Sequence, residues 1–205
     1  MHFPAEAPVL ETARLRLRPY APADAPRLQQ LAGDPAVAAT TLNIPHPYPD
    51  GAAEAWIGAH AAKWAAHTEL VLATTLMGTG ELLGSVGLTI QEEHEKAELG
   101  YWVGVPHWNR GYATEAVRAV IAWGFATLGL SRIQAHHFAE TPASGRVMAK
   151  AGMQREGFSP LALRKAGRFH DLVLYGIVRR DQSGAPATTP VRAGLRDKDL
   201  RGSGR

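Results

Sequence analysis

The chain has 205 residues, 45% hydrophobic and 20% charged, with a formal net charge of +3. That length fits one domain able to bury its own core, and the composition is that of a globular enzyme. The absence of cysteine excludes disulfides, thiolate nucleophiles and Cys-based zinc sites.

The opening stretch MHFPAEAPVLETARL carries neither the basic nor the apolar region of a secretory signal. No apolar run reaches the roughly 18 residues that span a bilayer, so the expected location is the cytoplasm. RLRLRPY (14–20) alternates basic and apolar residues, as a half-buried strand does. A helix follows, with Asp24 as its expected N-cap, Leu28 and Leu31 as its apolar stripe, and Gly33-Asp34-Pro35 as its stop. NIPHPYPDG (43–51) is a loop by its prolines and glycine, and the Ala-rich stretch after it predicts a helix carrying Trp56, Ile57 and Trp64. Three strands are expected next, over 69–77, 80–90 and 97–105. Apolar or small residues at 113, 116, 117, 120, 121, 124 and 128 then recur at helical spacing. SRIQAHHF is a short strand, TPASGRVMAKAGM a helix stopped by Gly152, and MQREGFSPLAL and GRFHDLVLYGIV close the series as strands. The order is mixed α/β, in one domain over 10–181. The segment 182–205 is rich in Gly, Pro, Ser and Arg and is expected to be disordered. It also holds the whole excess of positive charge. The balanced body argues against a nucleic-acid surface.

The chemistry points to the stretch after the strand at 97–105, where Trp108, Asn109 and Arg110 run into Gly111 and a helix starts at once. A helix N-terminus leaves backbone N–H groups unpaired, and together with the helix dipole they favour an anion such as a phosphate. Gly111 lets a ligand approach the backbone, Ala113 is nearly as small, Arg110 adds a cation and Thr114 a hydroxyl. There is no G-x-x-x-x-G-K-[ST], so nucleotide hydrolysis has no support. On spacing alone, a plain strand–turn–helix in which Gly111 serves only geometry is the other reading.

Gly111-Tyr112-Ala113-Thr114-Glu115-Ala116 resembles the acyl-CoA-binding turn, Q/R-x-x-G-x-G/A, of the GNAT acyltransferase superfamily, with Trp108 at the leading position. Together with LETARLRLRPYAPADAPRL, GELLGSVGL, AELGYWV, PASGRVMAKAGM and GRFHDLVLYGIV in order, it is similar to the RimJ/RimL-like branch of N-acetyltransferases over about residues 10–180. The resemblance implies the GNAT fold: a central mixed, mostly antiparallel sheet of six to seven strands flanked by helices. It implies acetyl-CoA as acyl donor, a primary amine as acceptor, and no metal. By the same resemblance, backbone N–H groups from Arg110 through Gly111, Tyr112 and Ala113 to Thr114 hold the pyrophosphate, and Trp108, Asn109, Thr141 and Ser144 are further cofactor-binding positions. The pantetheine arm lies along Trp102 and Val103 like an added strand, where the strand splays from its neighbour, with Gly104 as a candidate for the break.

An amine attacks a thioester only as the free base, so a general base is expected. Glu98 is the candidate: strand alternation puts it on one face with Gly100, Trp102 and Gly104, and it matches the family's strand glutamate. Glu92, Glu93 and Glu95 read as solvated. Where the superfamily often has a thiolate-protonating tyrosine this chain has Met148, and the branch's alternative is Ser144, for the sulfur or the substrate; a helix-start hydroxyl bonding its own backbone is its other role. The family's Asn before that serine is Thr141 here, which lacks an amide's paired donor and acceptor. His46, Tyr48 and Trp56 are acceptor-pocket candidates from the loop and helix at 43–64. Asp171 either holds the pocket loops or meets a cationic substrate. His136 and His137 point to opposite strand faces without a third metal ligand nearby, and His60 and His67 read as surface. Three classes of function remain: an N-acetyltransferase acting on a protein N-terminus or a small amine, an acyl-CoA sensor without turnover, and a nucleic-acid binder using the basic tail. Partners beyond donor and acceptor are not implied, and either a monomer or a homodimer fits.

Overall fold

The computed structural model describes residues 1–180. The chain runs β1 (Leu10–Glu11), β2 (Leu15–Arg18), α1 (Ala25–Ala32), α2 (Pro35–Thr40), α3 (Ala52–Gly58), α4 (His60–Ala65), β3 (Glu69–Leu76), β4 (Leu82–Gln91), β5 (Lys96–Val103), α5 (Tyr112–Trp123), β6 (Arg132–Phe138), α6 (Pro142–Lys150), β7 (Gln154–Lys165) and β8 (Arg168–Val178). The strands form one eight-stranded sheet in the order β1-β2-β3-β4-β5-β6-β8-β7, with one strand more than expected because Leu10–Glu11 pairs with β2. Every pairing is antiparallel except β5–β6.

The sheet separates two cores. On one face, Leu70, Leu88, Ala97, Leu99, Ile133 and Ala135 meet Val117, Val120 and Ile121 of α5 and Met148 of α6. On the other, Leu28 and Leu31 of α1 and Ala53 and Ile57 of α3 close over Ala73 and Leu82. The segment ahead of Leu10 docks as well, with Phe3 stacked on His67 at 3.9 Å and edge-on to Trp64. The expected disorder of 182–205 lies outside the described residues. Among those described, no helix is long and apolar enough to cross a membrane.

Local chemistry corrects several expectations. Asp24 does not cap α1. Its carboxylate instead accepts the Arg18 guanidinium and the Ala21 N–H. Asp34-Pro35 ends one helix and starts another, because the Asp34 carboxylate accepts the Ala36 N–H and Pro35 suits a first turn. The Ala-rich helix is broken at Ala59 into α3 and α4. His60 is not a surface residue: it packs against the Tyr20 and Trp56 rings, themselves in contact, with neither ring nitrogen hydrogen-bonded among the described residues, and burial pushes its pKa down to about 4. Glu95 is half-buried and accepts the Ser131 hydroxyl.

Candidate active site

The β5–β6 ladder is short. It runs from Lys96↔Arg132 to Glu98↔Gln134 and stops, while β5 continues to Val103 against β4 on its other side. The strands therefore splay beyond Glu98. The Gly104 N–H bonds the Leu83 carbonyl on the β4 side, so strand alternation turns the backbone groups of Leu99, Tyr101 and Val103 toward the gap. Gly104 is not the break: it lies at the end of β5, where a Cβ would come within 2.6 Å of Leu31. The Val103 carbonyl is already taken by the Trp108 indole N–H at 2.6 Å. The gap is thus flanked by unladdered backbone with Trp108 as its stop.

A cavity of about 460 Å³ threads this gap. It is lined from both faces of β5, by Glu98, Gly100 and Trp102 on one and Leu99 and Tyr101 on the other, with Ser144 and Met148 of α6 behind. The 40–45 loop, Tyr48 and Trp56 roof it. Among the described residues that line it there is no lysine or arginine. Glu98 is half-buried, with Oε1 3.3 Å from Nδ1 of His136 on the neighbouring strand. The Ser144 hydroxyl bonds neither a helix carbonyl of its own nor open space: it lies 2.7 Å from the Tyr101 hydroxyl, which is also 3.0 Å from the Ser144 carbonyl. Burial pushes the Tyr101 phenol up to about 12, the Ser144 hydrogen bond acting against it. Alternation alone puts Tyr101 among core residues. Met148 is fully buried, and the phenol nearest Ser144 arrives from β5 instead.

Tyr48 and Trp56 face the cavity because their rings anchor in the α1–α3 core. His46 does not: it is exposed on the outer bend of the loop. Asp171 also lies outside the lining. Its Oδ1 accepts the Leu161 N–H at 2.8 Å, fixing the irregular stretch of β7 between Ser159 and Leu163. Thr141 spends its hydroxyl proton on the Phe138 carbonyl at 2.8 Å. A residue that pattern reading passes over is Lys165 of β7, whose ammonium donates to the carbonyls of Ala38, Thr41 and, at 2.9 Å, Ile44. It ties the cavity's roof to the β7–β8 hairpin.

The turn into α5 follows the sequence closely. Asn109 (φ 60°) and Gly111 (φ 81°) are both left-handed, which Asn and Gly tolerate best. Gly111 is the N-cap and supplies no side chain, so the N–H groups of Tyr112, Ala113 and Thr114 lack the capping partner a Ser or Asp would give. The first intrahelical bond is Glu115 N–H to the Gly111 carbonyl at 3.1 Å. Glu115 secures this end of the helix to the first strands, accepting the Thr12 hydroxyl (2.6 Å), the Arg14 N–H (2.9 Å) and the Arg14 Nε–H (2.7 Å). Burial tends to raise the Glu115 pKa, but those hydrogen bonds outweigh it and hold the carboxyl below its ordinary value. The cations beside the turn differ from expectation. Arg110 is exposed and contributes its carbonyl to Arg14 at 3.0 Å, while Arg14, Arg118 and Lys150 border an open cleft along Gly111 and Thr114.

A family model described as an acetyltransferase (GNAT) domain matches residues 14–154. Over 102 residues the chain is 38% identical to YoaA, an uncharacterized N-acetyltransferase of Bacillus subtilis, and the match covers 49% of this chain and 58% of the relative. The chain thus spans less than two thirds of that relative's length. Among solved structures it resembles RimJ of Mycobacterium smegmatis in complex with CoA-disulfide, with a TM-score of 0.77, 22% identity, and 86% of this chain and 90% of the other covered. It also resembles RimL, a ribosomal-protein α-N-acetyltransferase in complex with coenzyme A, with a TM-score of 0.76, 18% identity, and 83% and 98% covered. Those two likenesses show a shared fold. The match of the family model across most of the described chain, on a sheet that splays where the cavity passes, shows that the chain belongs to the GNAT acetyltransferase family.

Proposed function

We propose that the chain is an acyl-CoA-dependent N-acetyltransferase that moves an acetyl group from acetyl-CoA to a primary amine by direct attack in a ternary complex. One observation carries the reading: a cavity passes through the sheet at the β5–β6 splay, giving two substrates access to each other from opposite faces. The uncapped N–H groups of α5 suit a diphosphate, and Arg14, Arg118 and Lys150 beside them suit a further anionic group. The gap-facing backbone of Leu99 and Tyr101 suits the amides of a pantetheine arm.

In this reading the amine enters under Tyr48 and Trp56. Glu98 supplies the negative charge at which it loses its proton, directly or through water. The nitrogen then attacks the thioester carbon, and the Val103 N–H, turned toward the gap, is placed to stabilise the oxyanion. Collapse breaks the carbon–sulfur bond, and the Tyr101 hydroxyl, held by Ser144, protonates the departing thiolate. A Bacillus subtilis relative 31% identical over 110 residues is named a putative ribosomal N-acetyltransferase, which supports a peptide α-amine as acceptor; the free small amine is the second arm of the test. The test is a CoA-release screen over N-terminal peptides and small amines, with CoA affinity measured in parallel. Release with at least one amine is expected. Binding without release from any amine would favour the sensor reading instead, for which the buried Met148 in place of the usual acid is the supporting observation.

A further inference from the structure

We infer that His136, with Glu98 behind it, is the group that takes the amine's proton. The inference rests on the acetyltransferase reading and refines its base. Register puts Glu98 opposite Gln134 at the last rung of the β5–β6 ladder, and residue 136 lies two positions on, on the same face, across the mouth of the splay. Both side chains line the cavity, about a quarter to two fifths exposed (27% and 39%), and their contact at 3.3 Å joins the two strands where the ladder no longer does. Neither is needed for the core: the β6 residues that pack into it are Ile133 and Ala135, on the opposite face.

The chemistry follows from which nitrogen is engaged. Nδ1 is the ring nitrogen near the Glu98 carboxylate; in the inferred pair it carries the N–H toward Glu98, which leaves the neutral imidazole's lone pair on Nε2. A proton taken there from R–NH3⁺ leaves R–NH2 and an imidazolium paired with a carboxylate, an arrangement a lone glutamate does not provide. The nitrogen–carbon bond then forms and the carbon–sulfur bond breaks. The second nitrogen proton leaves with the thiolate as CoA–SH through Tyr101 and Ser144, and the imidazolium returns its proton to solvent. Atoms and charge balance as amine cation plus thioester giving amide, thiol and one proton. The other ionisable groups lining the cavity are Glu69, Tyr48, Tyr101 and His137, the last directed to the opposite strand face and bonding the Phe138 carbonyl at 2.7 Å through Nδ1. From β8, the residue opposite His136 is Leu174, which is uncharged.

Two measurements test this. With isotope-labelled histidine, NMR of the ligand-free protein should show the neutral His136 ring protonated on Nδ1, and Glu98→Ala should shift that tautomer balance toward Nε2–H; an unchanged balance overturns the pair whether or not a substrate is known. With an amine found by the release screen, His136→Gln should lower kcat about 100-fold and remove the acidic limb of its pH profile, while CoA affinity and amine KM stay within about twofold. His136→Ala should regain rate with added imidazole, which a purely structural role would not permit. A His136→Gln enzyme that keeps its rate and acidic limb overturns the inference. A wild type that binds no CoA instead removes the acetyltransferase reading, and the inference with it.

Discussion

The turn into α5 and the cavity in the β5–β6 gap are neighbours along one strand, yet they are built differently. The turn is local: residues within one short stretch, Trp108 to Glu115, set its dihedrals, its missing cap and its first helical bond. The cavity is assembled from β5, β6, α6, α3 and a loop, and its decisive pairs join residues far apart in the chain, Glu98 with His136 and Tyr101 with Ser144. A turn of this kind can hold a ligand without any reactive side chain, since its working groups are amides. The cavity needs particular side chains at particular distances. If that division is right, variants of the turn change affinity and variants of the cavity change turnover.

The largest effect is expected in the cavity. Glu98→Gln should cut kcat about 100-fold with CoA affinity unchanged, measured by steady-state release and calorimetry. A loss of CoA affinity instead would break the division. The turn comes next. Gly111→Val puts a β-branched residue at φ 81°, in a region that costs about 1–3 kcal/mol, and sets its side chain against the exposed amides. CoA binding should weaken about 30-fold, with kcat at saturation within about threefold; an unchanged dissociation constant would move the pyrophosphate elsewhere. Tyr101→Phe sharpens the comparison from the cavity side. Losing the hydroxyl should lower kcat about tenfold and spare affinity.

The smallest effect tests the junction between the regions. The Glu115 carboxyl is held below its ordinary value, so its stabilising contribution is present above the carboxylate pKa of the unfolded chain, about 4.3, and fades as pH falls through the lower folded value. Glu115→Gln should therefore cost about 1 kcal/mol in urea unfolding at pH 7, and the gap to wild type should close toward pH 3. A gap independent of pH would mean that Glu115 acts by shape rather than charge.

How far each part could be read in the sequence follows the same division. Gly111 with its helix was readable because a glycine N-cap and an apolar 3.6-residue period are both local signals. Glu98 was readable from strand alternation. His136 was not paired with it, because nothing in the sequence says that β5 and β6 are adjacent or where their ladder ends. Tyr101 read as core by alternation, and its hydroxyl acquires a partner only when α6 packs over β5. Arg110 is the phosphate cation that proximity suggests, whereas Arg14 and Lys150 reach the same cleft from other parts of the chain and Arg118 from further along α5. Lys165 carries no local signature: a lysine late in a strand reads as solvated until the ends of the Ala38–Ile44 carbonyls converge on it.

By itself, the sequence determined the order of β2 to β8 with α1, α5 and α6 among them, the glycine-capped opening of α5 and the carboxylate at position 98, since each depends on residues close together along the chain. Tertiary structure alone decided where β5 parts from β6, which histidine meets Glu98 and which hydroxyl meets Ser144. Those outcomes depend on how separate elements pack, and packing energy is shared among residues that no spacing in the chain brings together.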